Sequence, residues 1–164
     1  MSVKEITQFG MLIALAFIFS YVEAMVPFPI PVPGIKLGLA NLVVVVTLYC
    51  MGIKEAFVIS IVRIILVGFT FGSLSSMIYG LVGGLLSFAM MSIFKKLKVF
   101  SVMGVSMVGG VFHNVGQLIV AIFVTDTKAL IYYFPFLLIA GVVTGTLIGI
   151  VGKLMIDRVK HYNL

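Results

Sequence analysis

The chain has 164 residues, of which 62% are hydrophobic and 10% charged, and its mean hydropathy is +1.31. A soluble domain of that length needs far more polar surface, so the composition excludes one and specifies a single all-α integral membrane domain over residues 1–164. The net charge of +6 gives no case for nucleic acid, because the basic residues sit in short segments between apolar runs and read as topology signals.

Six apolar runs predict a compact bundle of six transmembrane helices, at 6–26, 35–51, 55–71, 74–94, 102–124 and 129–156. The first is expected to be a retained helix: its basic region is Lys4 alone, Glu5 follows, and no small-residue cleavage site comes after it. Between the first two runs lies the stretch from Pro27 to Asn41. Four of the five prolines fall within seven residues there, at Pro27, Pro29, Pro31 and Pro33. Such a segment is held extended and cannot continue the preceding helix. It turns at Gly34, presents Lys36 and re-enters an apolar helix carrying Asn41, which marks it as part of a binding site.

An even number of spans puts both termini on one side. Lys4, Lys54, Lys95, Lys96, Lys98, Lys153, Arg158 and Lys160 then share that side against Lys36 and Lys128, a bias that predicts cytoplasmic termini in a bacterial cell membrane. Glycines at Gly80 and Gly84, and at Gly141, Gly145 and Gly149, recur every four residues, the spacing that lets helix backbones approach closely within the bundle. On the first helix, Gly10, Ala14 and Ser20 offer a face for a partner. Met90 and Met91 are expected in the core or against lipid.

An ionisable side chain near the middle of a bilayer costs roughly 2.5 to 3.5 kcal/mol, so it normally faces a partner or a wet cavity. Arg63 falls midway along the third run, Glu23 toward the outer end of the first, and His113 near the middle of the fifth. Arg63 and Glu23 have the alternative of pairing with each other, and His113 of serving as an interhelical hydrogen bonder. His113 and Gln117 share a helix face, with Asn114 beside them. Together with Lys36, Asn41 and Tyr79 these groups are expected to converge on a cavity in the outer half. The cytoplasmic half is expected to hold almost no buried polarity. Cations outnumber Glu23, and Phe28, Phe69, Phe71, Tyr79 and Phe112 supply apolar surface, so an amphipathic organic anion is the expected guest.

Catalysis has little support. The chain carries no aspartate-rich magnesium motif, no phosphate-cradling glycine loop and no nucleophile beside a base, and it is expected not to be an enzyme. Two histidines, His113 and His161, make no metal site by spacing, and no cofactor is expected. With a single cysteine, Cys50, an intramolecular disulfide is impossible.

Four segments carry a family resemblance: Val32–Leu42, Lys54–Ala56 with Arg63 beyond it, Tyr79–Leu86, and His113-Asn-Val-Gly-Gln117. They resemble the Gx transporter family, also labelled heptaprenyl diphosphate synthase component I. That family is similar to the substrate-binding S components of energy-coupling factor transporters. The resemblance implies a six-helix capture subunit that takes up a vitamin-like nutrient and docks on a coupling subunit and ATPase subunits. S components usually dock through an Ala-x-x-x-Ala pattern on the first helix, for which the nearest match here is Gly10-x-x-x-Ala14. The family label adds an isoprenoid or quinone precursor as a candidate guest. It also adds an alternative role, that of a non-catalytic membrane partner of a polyprenyl diphosphate synthase. An independent secondary transporter is disfavoured, since no inverted repeat is evident.

Overall fold

The computed structural model describes residues 3–25 and 38–162, and these fold into six α-helices and one 3-10 turn. The helices are α1 (Val3–Met25), α2 (Leu39–Cys50), α3 (Ile53–Thr70), α4 (Leu74–Leu97), α5 (Val102–Thr125) and α6 (Phe134–Tyr162). Four stretches are long and apolar enough to cross a membrane: Glu5–Met25, Leu74–Leu97, Val102–Thr125 and Lys128–His161. The proline-rich stretch and Lys36 lie outside the described residues.

Most helix ends have a local cause. Glycine at 52, with φ of 142°, makes the tight turn between α2 and α3, a conformation that side chains with a Cβ rarely adopt. Ser73 begins α4 with a reciprocal cap: its Oγ accepts from the Ser76 N–H at 3.1 Å, and Ser76 Oγ accepts from the Ser73 N–H at 2.8 Å. Ser101 caps α5 through the Gly104 N–H. The sixth apolar run is divided: residues Lys128–Tyr133 form the 3-10 turn, and α6 starts at Phe134. Pro135 explains the break, because it has no N–H to donate back and is suited to a first helical turn.

Helix α2 is the centre of the bundle. Its residues Leu42 to Leu48 are buried without interruption, and it packs on α1, α3 and α6. At 12 residues it is about 18 Å long, well short of a bilayer's hydrocarbon thickness. An all-round apolar sequence such as Leu-Val-Val-Val-Val suits a helix enclosed on all sides. At its C-terminal end the Lys95 ammonium donates to the Leu48 carbonyl and lies 5.1 Å from the centre of the Tyr49 ring. That contact places a cation against otherwise unpaired terminal carbonyls.

Backbone-to-backbone packing joins α5 to α6. A Cβ added at Gly141 would lie 2.7 Å from Val111 Cα, one at Gly145 2.6 Å from Met107 Cα, and one at Gly149 2.7 Å from Met103 Cα. Between α4 and α5, a Cβ at Gly116 would lie 2.7 Å from Gly83 Cα. The four-residue glycine spacing on α6 is therefore a packing seam, as its period predicts. Gly80 and Gly84 accommodate Ile64 of α3 instead.

Candidate functional site: a cavity with a charged end

The helices enclose a cavity of about 470 Å³. Each wall is one helical face. On α5 the lining residues are Ser106, Gly109, Gly110, His113, Asn114 and Gln117, a run of three- and four-residue steps that keeps to one side of the helix. On α4 Ser76, Gly80, Ser87 and Met91 repeat the pattern. Arg63 and Val67 line it from α3 and Phe71 from the turn just after it, Ser20 and Glu23 from α1, Val45 from α2, and Thr144 and Ile148 from α6.

The charged groups gather where α1 ends and α2 begins. Arg63 donates from Nη2 to Asn41 Oδ1 at 3.3 Å. Its Nε is sealed from solvent and has no hydrogen-bond partner among the described residues. Glu23 accepts from the Gly38 N–H at 2.5 Å, and its carboxylate acts electrostatically on Arg63. Gly38, at φ of 76°, stands just ahead of α2, so the Glu23 carboxylate sits at a helix N-terminus where negative charge is favoured. Glu23 thus holds the end of α1 to the start of α2 as well as bordering the cavity.

Six of the side chains expected at the site line this one cavity: Glu23, Asn41, Arg63, His113, Asn114 and Gln117. Asn114 is buried and also has a structural task, donating from Nδ2 to the Leu137 carbonyl of α6 at 2.8 Å. Lys36, the seventh expected contributor, is outside the described residues. Tyr79 is half-buried and is not among the lining residues. It neighbours Gly80, which does line the cavity, and the turn of about 100° per residue carries its side chain off that face.

The aromatic lining is correspondingly smaller than expected. Phe71 borders the cavity, whereas Phe69 is 73% exposed, Phe112 is not on the lining face, and Phe28 is outside the described residues. The Phe71 ring meets Phe17 and Tyr21 of α1 edge-on, each at 5.4 Å between centroids.

Two further expectations change, and a third is extended. The half of the bundle expected to be dry holds buried hydroxyls at Ser60, Ser87, Ser92 and Ser106, and the cavity reaches Ser87 and Ser106. Met91 is in the core, as expected, and also borders the cavity. Ser20 does not join Gly10 and Ala14 on a partner face: it is buried, lines the cavity and donates its hydroxyl to the Ala16 carbonyl. Gly10 and Ala14 are exposed on the far side of α1, where a Cβ on Gly10 would meet nothing within 4 Å.

Sequence reasoning missed the deeper lining at Ser87, Ser106, Gly109, Thr144 and Ile148. The signal was there on α5, where the spacing that joins Gln117 to His113 continues through Gly110 and Gly109 to Ser106. Serine and glycine at those steps read equally well as helix packing. Among the described residues, no three His, Cys, Asp or Glu side chains gather in a way that could hold a metal ion.

Fold and site together define an all-helical membrane protein with an internal cavity that is charged at one end. The chain matches the family model of heptaprenyl diphosphate synthase component I over residues 12–155, and it belongs to that family. No curated protein and no solved structure matches it.

Proposed function

We propose that this chain is the substrate-capturing membrane subunit of an energy-coupling factor-type transporter, and that it takes a small amphipathic organic anion from outside the cell. In this reading all six helices lie in the bacterial cytoplasmic membrane, both termini are cytoplasmic, and the charged end of the cavity faces out. The chain performs no catalysis. Coupling and ATPase subunits supply the energy, and the exposed Gly10 and Ala14 face of α1 is where the coupling subunit docks. An isoprenoid or quinone precursor has the required combination of negative charge and apolar body.

The observation that carries the proposal is Arg63. A guanidinium costs several kcal/mol to bury without compensation; this one hydrogen-bonds to neutral Asn41 and feels the Glu23 carboxylate, while its Nε has no hydrogen-bond partner among the described residues. A carboxylate or phosphate at the cavity's charged end supplies the missing acceptor and adds negative charge to that of Glu23. His113 and Gln117 stand on the opposite wall to complete the contacts, and Lys36 is proposed to add a second cation.

Native mass spectrometry of the protein released from gentle detergent tests this. A bound anion of low mass, together with coupling and ATPase subunits, is the expected result. Concentrative uptake into liposomes by the chain alone would overturn it. The family's description favours a second reading, a non-catalytic membrane partner of a polyprenyl diphosphate synthase. It predicts co-purification with a soluble synthase and no tightly held small molecule.

A further inference from the structure

Hydroxyl side chains in the bundle interior divide into two kinds. Ser20, Thr47 and Thr144 satisfy themselves, each donating to the carbonyl four residues back on its own helix at 2.8 to 2.9 Å. Ser87 of α4 and Ser106 of α5 do not. Each is 3% exposed and borders the cavity, and neither hydroxyl makes a hydrogen bond among the described residues. Buried polar groups are nearly always paired, so two bare hydroxyls on one cavity point to a partner supplied from within it.

Helix register fixes where they stand. Gly83 of α4 packs on the His113 carbonyl, from which an added Cβ would lie 2.8 Å. Ile64 packs on Gly80 and Gly84, which sets its neighbour Arg63 at that same level. Ser87 follows Gly83 by about one turn, and its Oγ would lie 3.3 Å from a Cβ on Gly109, about one turn of α5 away from His113. Ser106 is nearly a turn further in the same direction. Four residues of helix rise about 6 Å and seven about 10 Å, so the two hydroxyls stand that far beyond the charged end.

Resting on the proposed capture of an amphipathic anion, we infer that the guest carries a hydrogen-bonding oxygen or nitrogen on its body, about 6 to 10 Å from its anionic group, and that Ser87 and Ser106 recognise it. A serine hydroxyl both donates and accepts, so a carbonyl, a hydroxyl or a ring nitrogen answers it. A body that is hydrocarbon throughout displaces water from both hydroxyls and leaves them bare. The two serines therefore select an oxygenated or nitrogen-bearing anion over a plain hydrocarbon one of the same size.

The test compares two probes with equal numbers of heavy atoms, n-heptyl phosphate and 6-hydroxyhexyl phosphate. Their binding to the full chain in lipid nanodiscs is measured by calorimetry, with protein-free nanodiscs subtracted. The wild type is expected to bind the hydroxylated probe at least as tightly as the alkyl one, although its hydroxyl gives up water to enter. With Ser87→Ala and Ser106→Ala combined, the preference should turn by at least tenfold toward the alkyl probe. Ser92→Ala is the control. The Ser92 hydroxyl is also buried without a partner among the described residues, but it does not border the cavity, and its loss should leave the ratio at the wild-type value. The readout is a ratio within each variant, so a general loss of folding does not imitate it. A wild-type preference for the alkyl probe, or a ratio unchanged in the double variant, means that the hydroxyls serve water or packing and overturns the inference while anion capture stands. An equal shift in Ser92→Ala overturns it as well. Failure of both probes to bind the wild type removes the capture reading itself.

Discussion

The seam between α5 and α6 and the wall formed by α1 and α3 border the same cavity, yet they are built by different means. At the seam, glycines bring backbone against backbone, with Gly141 on Val111 and Gly145 on Met107, and no side chain stands between to give way. On the other wall the contacts are made by side chains: Phe71, just past the end of α3, leans on the Phe17 and Tyr21 rings of α1, and Met77 of α4 fills the space at Gly68 of α3. Where lipid removes most of the hydrophobic drive for helices to associate, close van der Waals packing is the main source of cohesion. The α5–α6 seam is therefore the fixed half of the site, and α1 with α3 is the half able to adjust around a guest.

The largest expected effect comes from forcing the seam apart. Gly141→Ala places a methyl group against backbone that cannot rotate away, and the loss of stability should reach or exceed the roughly 1 to 3 kcal/mol typical of overpacking. A detergent unfolding series would register it, and a midpoint equal to that of wild type would show that the seam is not rigid. Arg63→Ala, on the adjustable wall, should abolish binding of the anion that co-purifies with the wild type while the protein still folds. Retained affinity would return Arg63 to a purely structural role. Arg63→Lys should recover only part of the binding, since an ammonium cannot reproduce the planar two-point contact of a guanidinium.

A smaller effect is expected at Asn114, which both ties the seam together and borders the cavity. Asn114→Ala removes the bond to the Leu137 carbonyl and should cost about 1 to 3 kcal/mol in the same unfolding series. If stability holds and only binding weakens, the Asn114 amide serves the guest more than the seam. The smallest effect belongs to Gly10. With nothing within 4 Å of a new Cβ, Gly10→Ala should raise stability by up to about 1 kcal/mol through helix propensity alone. Replacing the same glycine by leucine should leave stability near wild type but block any partner that docks on α1, which a pull-down of the assembled complex would detect.

The sequence made the charged end legible for a physical reason. Arg63, Glu23 and His113 are costly in a bilayer, so each announces a specific environment wherever it occurs, and the four-residue spacing of His113 and Gln117 fixed their common face. The glycine seam was legible too, because the four-residue period of Gly141, Gly145 and Gly149 has a direct packing meaning. Tyr79 and Phe112 misled, since aromatic residues are at home in lipid, core and binding site alike and only the angular position on the helix separates these. The far end of the cavity left no distinct trace. Ser87 and Ser106 are neutral, small and compatible with tight packing, so nothing in their identity sets a cavity wall apart from a helix contact. The six-helix pattern was recovered with modest changes at the ends, among them the turn imposed ahead of Pro135 and a longer C-terminal end of α6.

The burial of α2 bears on how the chain is assembled. A segment of about 18 Å, too short to span the hydrocarbon layer unaided, gains its place from neighbours, and one of them is α6, which is synthesised after α1 to α5. Ile148 and Ile156 of α6 share the core with Leu42, Val45 and Leu48. The shelter of α2 therefore comes late: until α6 inserts, α2 waits with one flank unsheltered, and a nascent chain halted before residue 134 should be a ready substrate for membrane quality-control proteases.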